Sequence, residues 1–379
     1  MKVYFDNAAT TPLDKAVFEE MKPFMLDHFG NPSSIHSHGR QVRAAIEKAR
    51  KKVADLLNTS PSEIFFTSGG TEADNTAITC AVSEYGVKNI ISSPLEHHAV
   101  LHTVEHLEKQ GRAKVHMLDV DEKGNIGLEQ LEELLRSHPN ALVSLMHANN
   151  EIGNINDIQA IGELCSEHKA IFHSDTVQTM AHFRHDLQVL KADFIVGSAH
   201  KFHGPKGVGF LYANHEKKIH PLIHGGAQER NMRGGTENVY GIIGLAKALE
   251  LAYDGMDRHV EKIKETKSYA IEQLTERVPD VGFYGDSGDV ENSLYTVLNV
   301  TLPPNDINDM LLFNLDIAGI SVSGGSACSS GSDIGSHVLN AIGANAESGA
   351  VRMSFSRYNN KEQVDYVVTK LADLFKRDS

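Results

Sequence analysis

The chain has 379 residues, 41% of them hydrophobic and 23% charged, an ordinary composition for a soluble protein and enough length for two hydrophobic cores. Thirty-six basic against 50 acidic residues give a formal charge of −14, which argues against a large nucleic-acid footprint. No apolar run is long enough for a membrane span, and residues 1–6 have no apolar signal core, so a cytoplasmic location is expected.

The first element predicted is an amphipathic helix around 40–57, with Val42, Ala45, Ile46, Ala49, Val53, Leu56 and Leu57 on its apolar side. Its local basic cluster reads as a solvated face. Between about 60 and 260, short apolar runs alternate with helical periodicity. Strands are expected over 63–67, 88–92, 114–118, 141–147, 170–173, 194–197 and 209–212. Helices are expected over 71–85, 99–110, 128–137 and 158–168. That alternation predicts an α/β fold with a mainly parallel sheet covered on both faces. A long helix over 238–278 has a break point at Gly255-Met256. Beyond it, strands over 295–300 and 320–323 and helices over 336–342 and 361–374 predict a smaller α+β domain.

The most informative stretch is Ser198-Ala199-His200-Lys201-Phe202-His203-Gly204-Pro205-Lys206-Gly207, just after a strand. A lysine at a strand mouth, between a hydroxyl and an imidazole, suits pyridoxal phosphate chemistry, in which the amine forms a Schiff base and its neighbours hold the phosphate. A surface lysine in a polar turn fits the same residues. Thr67-Ser68-Gly69-Gly70-Thr71-Glu72 joins a strand to a helix, offering backbone N–H groups, a hydroxyl and a helix N-terminus to an anion. An ordinary capped turn is the alternative. Asp175 follows a strand and suits a protonated pyridine nitrogen, with Gln178 placed for the ring's phenolic oxygen; a helix N-cap explains Asp175 as well. His97 also follows a strand, where an imidazole stacks on a ring and exchanges protons. Asn150 suits cofactor or substrate, and Arg352 suits a bidentate grip on a carboxylate; a loop histidine, a turn-forming Asn pair and a surface ion pair are the alternatives for His97, Asn150 and Arg352.

Three cysteines, Cys80, Cys165 and Cys328, make no disulfide framework and fit a reducing compartment. Cys80 and Cys165 lie in apolar helical patterns. Cys328 lies in a Gly/Ser-rich stretch, 323–332, unsuited to burying a thiol and suited to one that must travel. His36, His38, His97 and His98 invite a metal reading, but their spacing matches no metal motif and no metal is expected.

Taken together and in order, these pieces make the chain resemble the cysteine desulfurases, the NifS/IscS-like branch of the class V aminotransferase family. The resemblance runs end to end. It includes Tyr4-Phe5-Asp6-Asn7-Ala8-Ala9-Thr10-Thr11-Pro12, Gly30-Asn31-Pro32-Ser33-Ser34, and the segments 67–75, 96–100, 146–153, 175–178, 198–207, 224–236, 326–328 and 351–356. It implies a type I fold for pyridoxal-phosphate-dependent transferases, with a large domain (15–255) around a mainly parallel seven-stranded sheet and a smaller α+β domain (1–14 and 256–379).

It implies Lys201, Cys328 and His97 as catalytic residues. Gly70, Thr71, His97, Asn150, Asp175, Gln178, Ser198, His200 and Lys201 would bind pyridoxal 5′-phosphate. Thr236 of the partner subunit in a homodimer would complete the phosphate site. Asn7, Asn150 and Arg352 would bind the substrate. The implied reaction takes sulfur from L-cysteine, leaving L-alanine and a persulfide on Cys328. That sulfur would pass to an acceptor protein such as an iron–sulfur scaffold, or toward tRNA thiolation. The stretch 329–336 is richer in glycine than is usual in the family. Selenocysteine lyase, another lyase or aminotransferase of the same fold, and a non-catalytic sulfur carrier are the competing expectations.

Overall fold

The apolar periodicity is realised almost element for element in the computed structural model, which describes residues 1–324 and 335–376. The chain opens with β1 (Val3–Tyr4) and two helices, α1 (Lys15–Leu26) and α2 (Ser37–Leu56). Alternation then begins: β2 (Ile64–Thr67), α3 (Gly70–Glu84), β3 (Asn89–Ser92), α4 (His98–Lys109), β4 (Lys114–Met117), α5 (Leu128–Ser137), β5 (Ala141–Ser144), α6 (Ile158–Glu167), β6 (Ile171–Asp175), β7 (Phe194–Ser198) and β8 (Gly209–Ala213). Their sheet has the order β2-β8-β7-β6-β5-β3-β4. β8 runs antiparallel to β2 and β7, and the other pairings are parallel.

Residues of β2, β5, β6, β7 and β8 are buried throughout, as a sheet covered on both faces requires. Successive side chains go to opposite cores. Val143 and Ile195 pack with Val53, Leu57 and Leu249 on one side. Leu142, Phe194 and Val196 pack with Ile78 and Val100 on the other. Side-chain caps set the helix starts: Asp157 accepts from the N–H groups of Gln159 and Ala160 at the head of α6.

After the sheet come α7 (Val239–Asp254) and α8 (Met256–Arg277), separated at Gly255 as expected. The remaining elements are β9 (Gly282–Phe283), β10 (Val297–Leu302), α9 (Leu311–Ile317), β11 (Ile320–Ser321), α10 (His337–Ala341), β12 (Gly349–Ser354) and α11 (Lys361–Leu374). β9, β10 and β12 form an antiparallel sheet in the order β12-β10-β9. α8 and α11 cover it through Ile263, Leu274, Val364 and Val368. β1 pairs parallel with β11, Val3 opposite Ile320, so the N-terminus joins this second core.

The structure adds β1, β9, α9 and, the longest of them, α1 to the sequence-based elements. Pro23 lies inside it and interrupts its signal, but Asp14 caps it and packing on α7 holds it. Strand ends also differ. β5 stops at Ser144, freeing 145–150 to turn toward the site, and β6 extends to Asp175.

Candidate active site

The carboxyl ends of β5, β6 and β7 meet the N-terminus of α3 at one edge of the large sheet, where ligands collect in open α/β sheets. A cleft of about 230 Å³, open to solvent, lies there. Of the residues singled out from the sequence, Gly70, Thr71, His97, Asn150, Asp175, Gln178, Ser198, His200, Lys201 and Arg352 all line it.

Each arrives by a local device. Asp175 is the last residue of β6 and no helix follows it, so the helix-cap alternative falls; its Oδ1 accepts the Val177 N–H at 2.9 Å. Ser198 ends β7, and a single helical turn, Ala199–Lys201, swings the lysine into the cleft. Lys201 Nζ donates to the carbonyls of Ala8 (2.5 Å) and Ala9 (3.0 Å), and Gln178 Nε2 donates to Ala8 O at 3.1 Å. His97 caps α4 by accepting the Ala99 N–H on Nδ1 at 3.1 Å. His200 Nδ1 lies 3.2 Å from Thr10 Oγ1. Gly70 opens α3 with no room for a side chain, since a Cβ there would lie 2.8 Å from Val177 Cγ2.

Burial tunes the titrating groups. His97 is pushed down to about 4 by burial and then by the Lys201 charge, and His200 to about 4 by burial and the Lys201 and Lys206 charges. Both imidazoles are neutral at pH 7. Burial raises the Asp175 carboxyl, opposed by the Val177 N–H and by Lys201.

Two further carboxyls were not singled out from the sequence. Asp74 lines the cleft and is 1% exposed; Glu96 is buried behind it, and its Oε1 accepts the Met146 N–H at 2.8 Å. Burial and the Asp175 charge push both well above the carboxylate range. Asp175 is the one of the three acids with the Lys201 charge set against its burial, so negative charge is favoured there over Asp74 and Glu96. Asp74 Oδ1 also lies 3.3 Å from Nε2 of the buried His173, whose Nδ1 is 2.9 Å from Ser144 Oγ. Asp74 follows Glu72-Ala73 at the start of a helix, where an acid reads as a dipole partner, so its burial has no local signal.

On the opposite wall Arg352 is 1% exposed and held as a fork. Nη2 meets Asp6 Oδ1 at 3.0 Å, Nη1 donates to Asn150 O at 3.1 Å, and Nε finds no hydrogen-bond partner among the described residues. The alternation that carries Arg352 is β12, next to β10.

Asn7 and Thr236 do not line this cleft. Asn7 is buried beside it, donating to Ser354 O (2.8 Å) and Asn359 Oδ1 (3.2 Å). Thr236 lies in an adjoining cleft with Thr67, Ser68, Gly207 and Arg233. Cys328 lies outside the described residues. Cys80 and Cys165 are buried free thiols, their pKa values raised by burial. Among the described residues no cluster of His, Cys, Asp and Glu fits a metal ion.

The model of the family Aminotransferase class-V matches residues 3–367. Cysteine desulfurase IscS of Dictyoglomus turgidum is 45% identical over 389 aligned residues, covering 99% of this chain and 95% of that protein. A solved NifS-like protein superposes with a TM-score of 0.90 at 38% identity, with 99% of both chains covered. The structure titled SspA in complex with cysteine gives a TM-score of 0.82 at 34% identity, covering 95% of this chain and all of that one.

Proposed function

The chain belongs to the class V aminotransferase family and is a cysteine desulfurase, and from that premise we propose how its cleft works on L-cysteine. The observation that carries the reading is the joint lining of one cleft by Lys201, Asp175, His97 and Arg352. These residues fit pyridoxal 5′-phosphate. α3 begins at a glycine that a Cβ would crowd, with the Thr71 and Ser198 hydroxyls and the His200 imidazole beside it to hold a phosphate. Asp175 is a buried carboxylate suited to a protonated pyridine nitrogen, and Gln178 supplies an amide for the phenolic oxygen. When bound, this cofactor supplies the electron sink that lets an amino acid lose its α-proton.

The protein's own groups do the rest. Lys201 would hold the cofactor through Nζ, and its free amine would take the α-proton of the bound amino acid. His97, a neutral ring lining the cleft, would lie against the cofactor; with Nδ1 committed to Ala99, its Nε2 is the nitrogen left to exchange protons. Arg352, pre-set by Asp6 and Asn150, orients the substrate carboxylate, with Asn150 beside it on the cleft lining; Asn7, its amide N–H groups given to Ser354 and Asn359, supports that wall from outside the cleft. The Cys328 thiolate then attacks the substrate sulfur. A sulfur–sulfur bond forms and the carbon–sulfur bond breaks, its electron pair going to carbon, which takes a proton and leaves as L-alanine. The persulfide next meets an acceptor thiolate, which takes the outer sulfur while Cys328 leaves as thiolate.

We further propose a homodimer in which Thr236 reaches the partner subunit's phosphate site. Its place in an adjoining cleft, outside its own chain's site, supports this. The division into 15–255 and 1–14 with 256–379 is supported by the separate cores and by the pairing of β1 with β11. Among the described residues no helix is long and apolar enough to cross a membrane; work in the cytoplasm, on sulfur supply for iron–sulfur clusters or tRNA thiolation, is the expected setting.

The test is to incubate the cofactor-loaded protein with L-cysteine or L-selenocysteine and a thiol reductant, and to quantify alanine. Equimolar alanine and sulfide from L-cysteine is the expected result. Turnover of selenocysteine alone would make the protein a selenocysteine lyase instead.

A further inference from the structure

One surface beside β12 is used by nothing described so far. α9 and the turn before it, Asp306–Met310, bury Leu311 and Leu315 in the second core. The other side is open: Met310, Leu312, Phe313 and Ile317 are 49%, 38%, 57% and 70% exposed. At spacings of three and four, Met310, Phe313 and Ile317 share one face. Single exposed apolar side chains need no explanation, but several gathered on one short element mark a contact surface.

Asp306, Asp309 and Asp316 are exposed around them. The sequence deepens this sign. Between Arg277 and Arg352 there is no lysine or arginine, while aspartate and glutamate recur through the span. Among the described residues, Lys2 and Lys370 lie toward the C-terminal end of α9. Lys2 packs at Gly319, and Lys370 lies over Tyr366, whose hydroxyl donates to Ala318 O.

The surface also adjoins the segment that carries the thiol. Leu312 Cδ1 lies 2.8 Å from where a Cβ on Gly324 would stand, and Gly324 is the last described residue before Cys328. Ser323 pairs with Arg352, so the same short stretch connects α9 to the cleft wall.

We propose that the face formed by Met310, Phe313 and Ile317, with its aspartate rim, docks the protein that receives the sulfur, and that this partner presents a thiol on a basic surface with an apolar centre. The proposal rests on the reading that sulfur leaves the cleft on Cys328. A second copy of this chain fits the face poorly: a two-fold contact there would set aspartates against aspartates, on chains that each carry −14. The acidic rim repels nucleic acid for the same reason.

The test uses holoenzyme charged with sulfur-labelled L-cysteine and two synthetic peptides of equal length, each with one cysteine and the same leucines, one flanked by lysines and the other by glutamates. Label is expected to reach the lysine peptide about ten times faster than the glutamate peptide at low salt, with the ratio shrinking as salt rises. In Asp309→Lys/Asp316→Lys the preference reverses, which separates docking from any difference in the peptide thiols themselves. In Phe313→Ser/Ile317→Ser, transfer to the lysine peptide falls several-fold. Dithiothreitol needs no docking, so alanine formation driven by it stays at the wild-type level in both variants and reports that they are folded. Equal transfer to both peptides, or variants that transfer as wild type does, overturns the docking face. A loss of mass by light scattering in Phe313→Ser/Ile317→Ser assigns the face to a second copy and overturns it too. Absence of dithiothreitol-driven alanine from the wild type would instead overturn the desulfurase reading beneath it.

Discussion

At the cleft, charge is buried and answered within a few ångströms. Lys201 lies against two carbonyls, Asp175 against an N–H, and Arg352 against Asp6 and Asn150. At α9, charge is exposed and of one sign around apolar side chains. The first arrangement fixes groups in place and sets their protonation, which is what chemistry on a bound amino acid requires. The second fixes nothing inside the protein and offers a field and an apolar patch to something outside it. The chain separates the two jobs on either side of β12, with Arg352 on the cleft and α9 on the surface.

The comparison is broken most severely at Lys201. Lys201→Ala removes the amine that holds the cofactor and moves the proton, so turnover should fall by at least about a thousandfold. A lost visible absorption band on a correctly folded protein is the accompanying sign, and turnover near wild type would remove Lys201 from the mechanism. Asp175→Asn replaces the buried carboxylate suited to a protonated pyridine nitrogen with a neutral amide. A fall in kcat of about a hundred- to a thousandfold is expected, read by steady-state kinetics with cofactor occupancy checked. Arg352→Lys keeps a charge near Asp6 but loses the fork, so KM for L-cysteine should rise about ten- to a hundredfold with a smaller change in kcat. An unchanged KM would count against the carboxylate role.

A gentler effect spreads over the whole buried side of the comparison. His97, His182, His185, His200 and His203 are held near 4, and His147 and His173 near 3, chiefly by burial, against 6.5 when unfolded. Below pH 6.5 the unfolded chain binds protons that the folded one refuses, so stability present above 6.5 is lost as pH falls toward 4. Thermal melts should drop steadily across that window, and calorimetry at pH 5.5 should register proton uptake on unfolding. A flat profile would mean that these rings are charged in the folded state.

Much of the cleft was legible because strand-to-loop junctions are legible. Ser198-Ala199-His200-Lys201 and Asp175-Thr176-Val177-Gln178 each follow a short apolar run, and ligands gather beyond the ends of such strands. The same logic found Thr71, His97 and Asn150. It missed Asp74, because nothing local marks a helical acid as buried; that depends on β6 and β7 lying across α3. It also could not foresee that the carbonyls of Ala8 and Ala9 would receive the lysine, since contacts across most of the chain leave no periodic trace. α1 was hidden by Pro23 and revealed by its packing on α7. α9 is absent from the predicted elements for a different reason: seven residues are too few for helical periodicity to stand out, and which of its apolar side chains stay exposed is decided by the elements packed beneath it.

The most direct measurement is alanine and sulfide from L-cysteine, for wild type and Cys328→Ala side by side, each loaded with pyridoxal phosphate and supplied with a reductant. Desulfuration through Cys328 predicts equimolar products from the wild type and almost none from the variant. Full sulfide release by Cys328→Ala would contradict it, and would move the sulfur-accepting step to some other group.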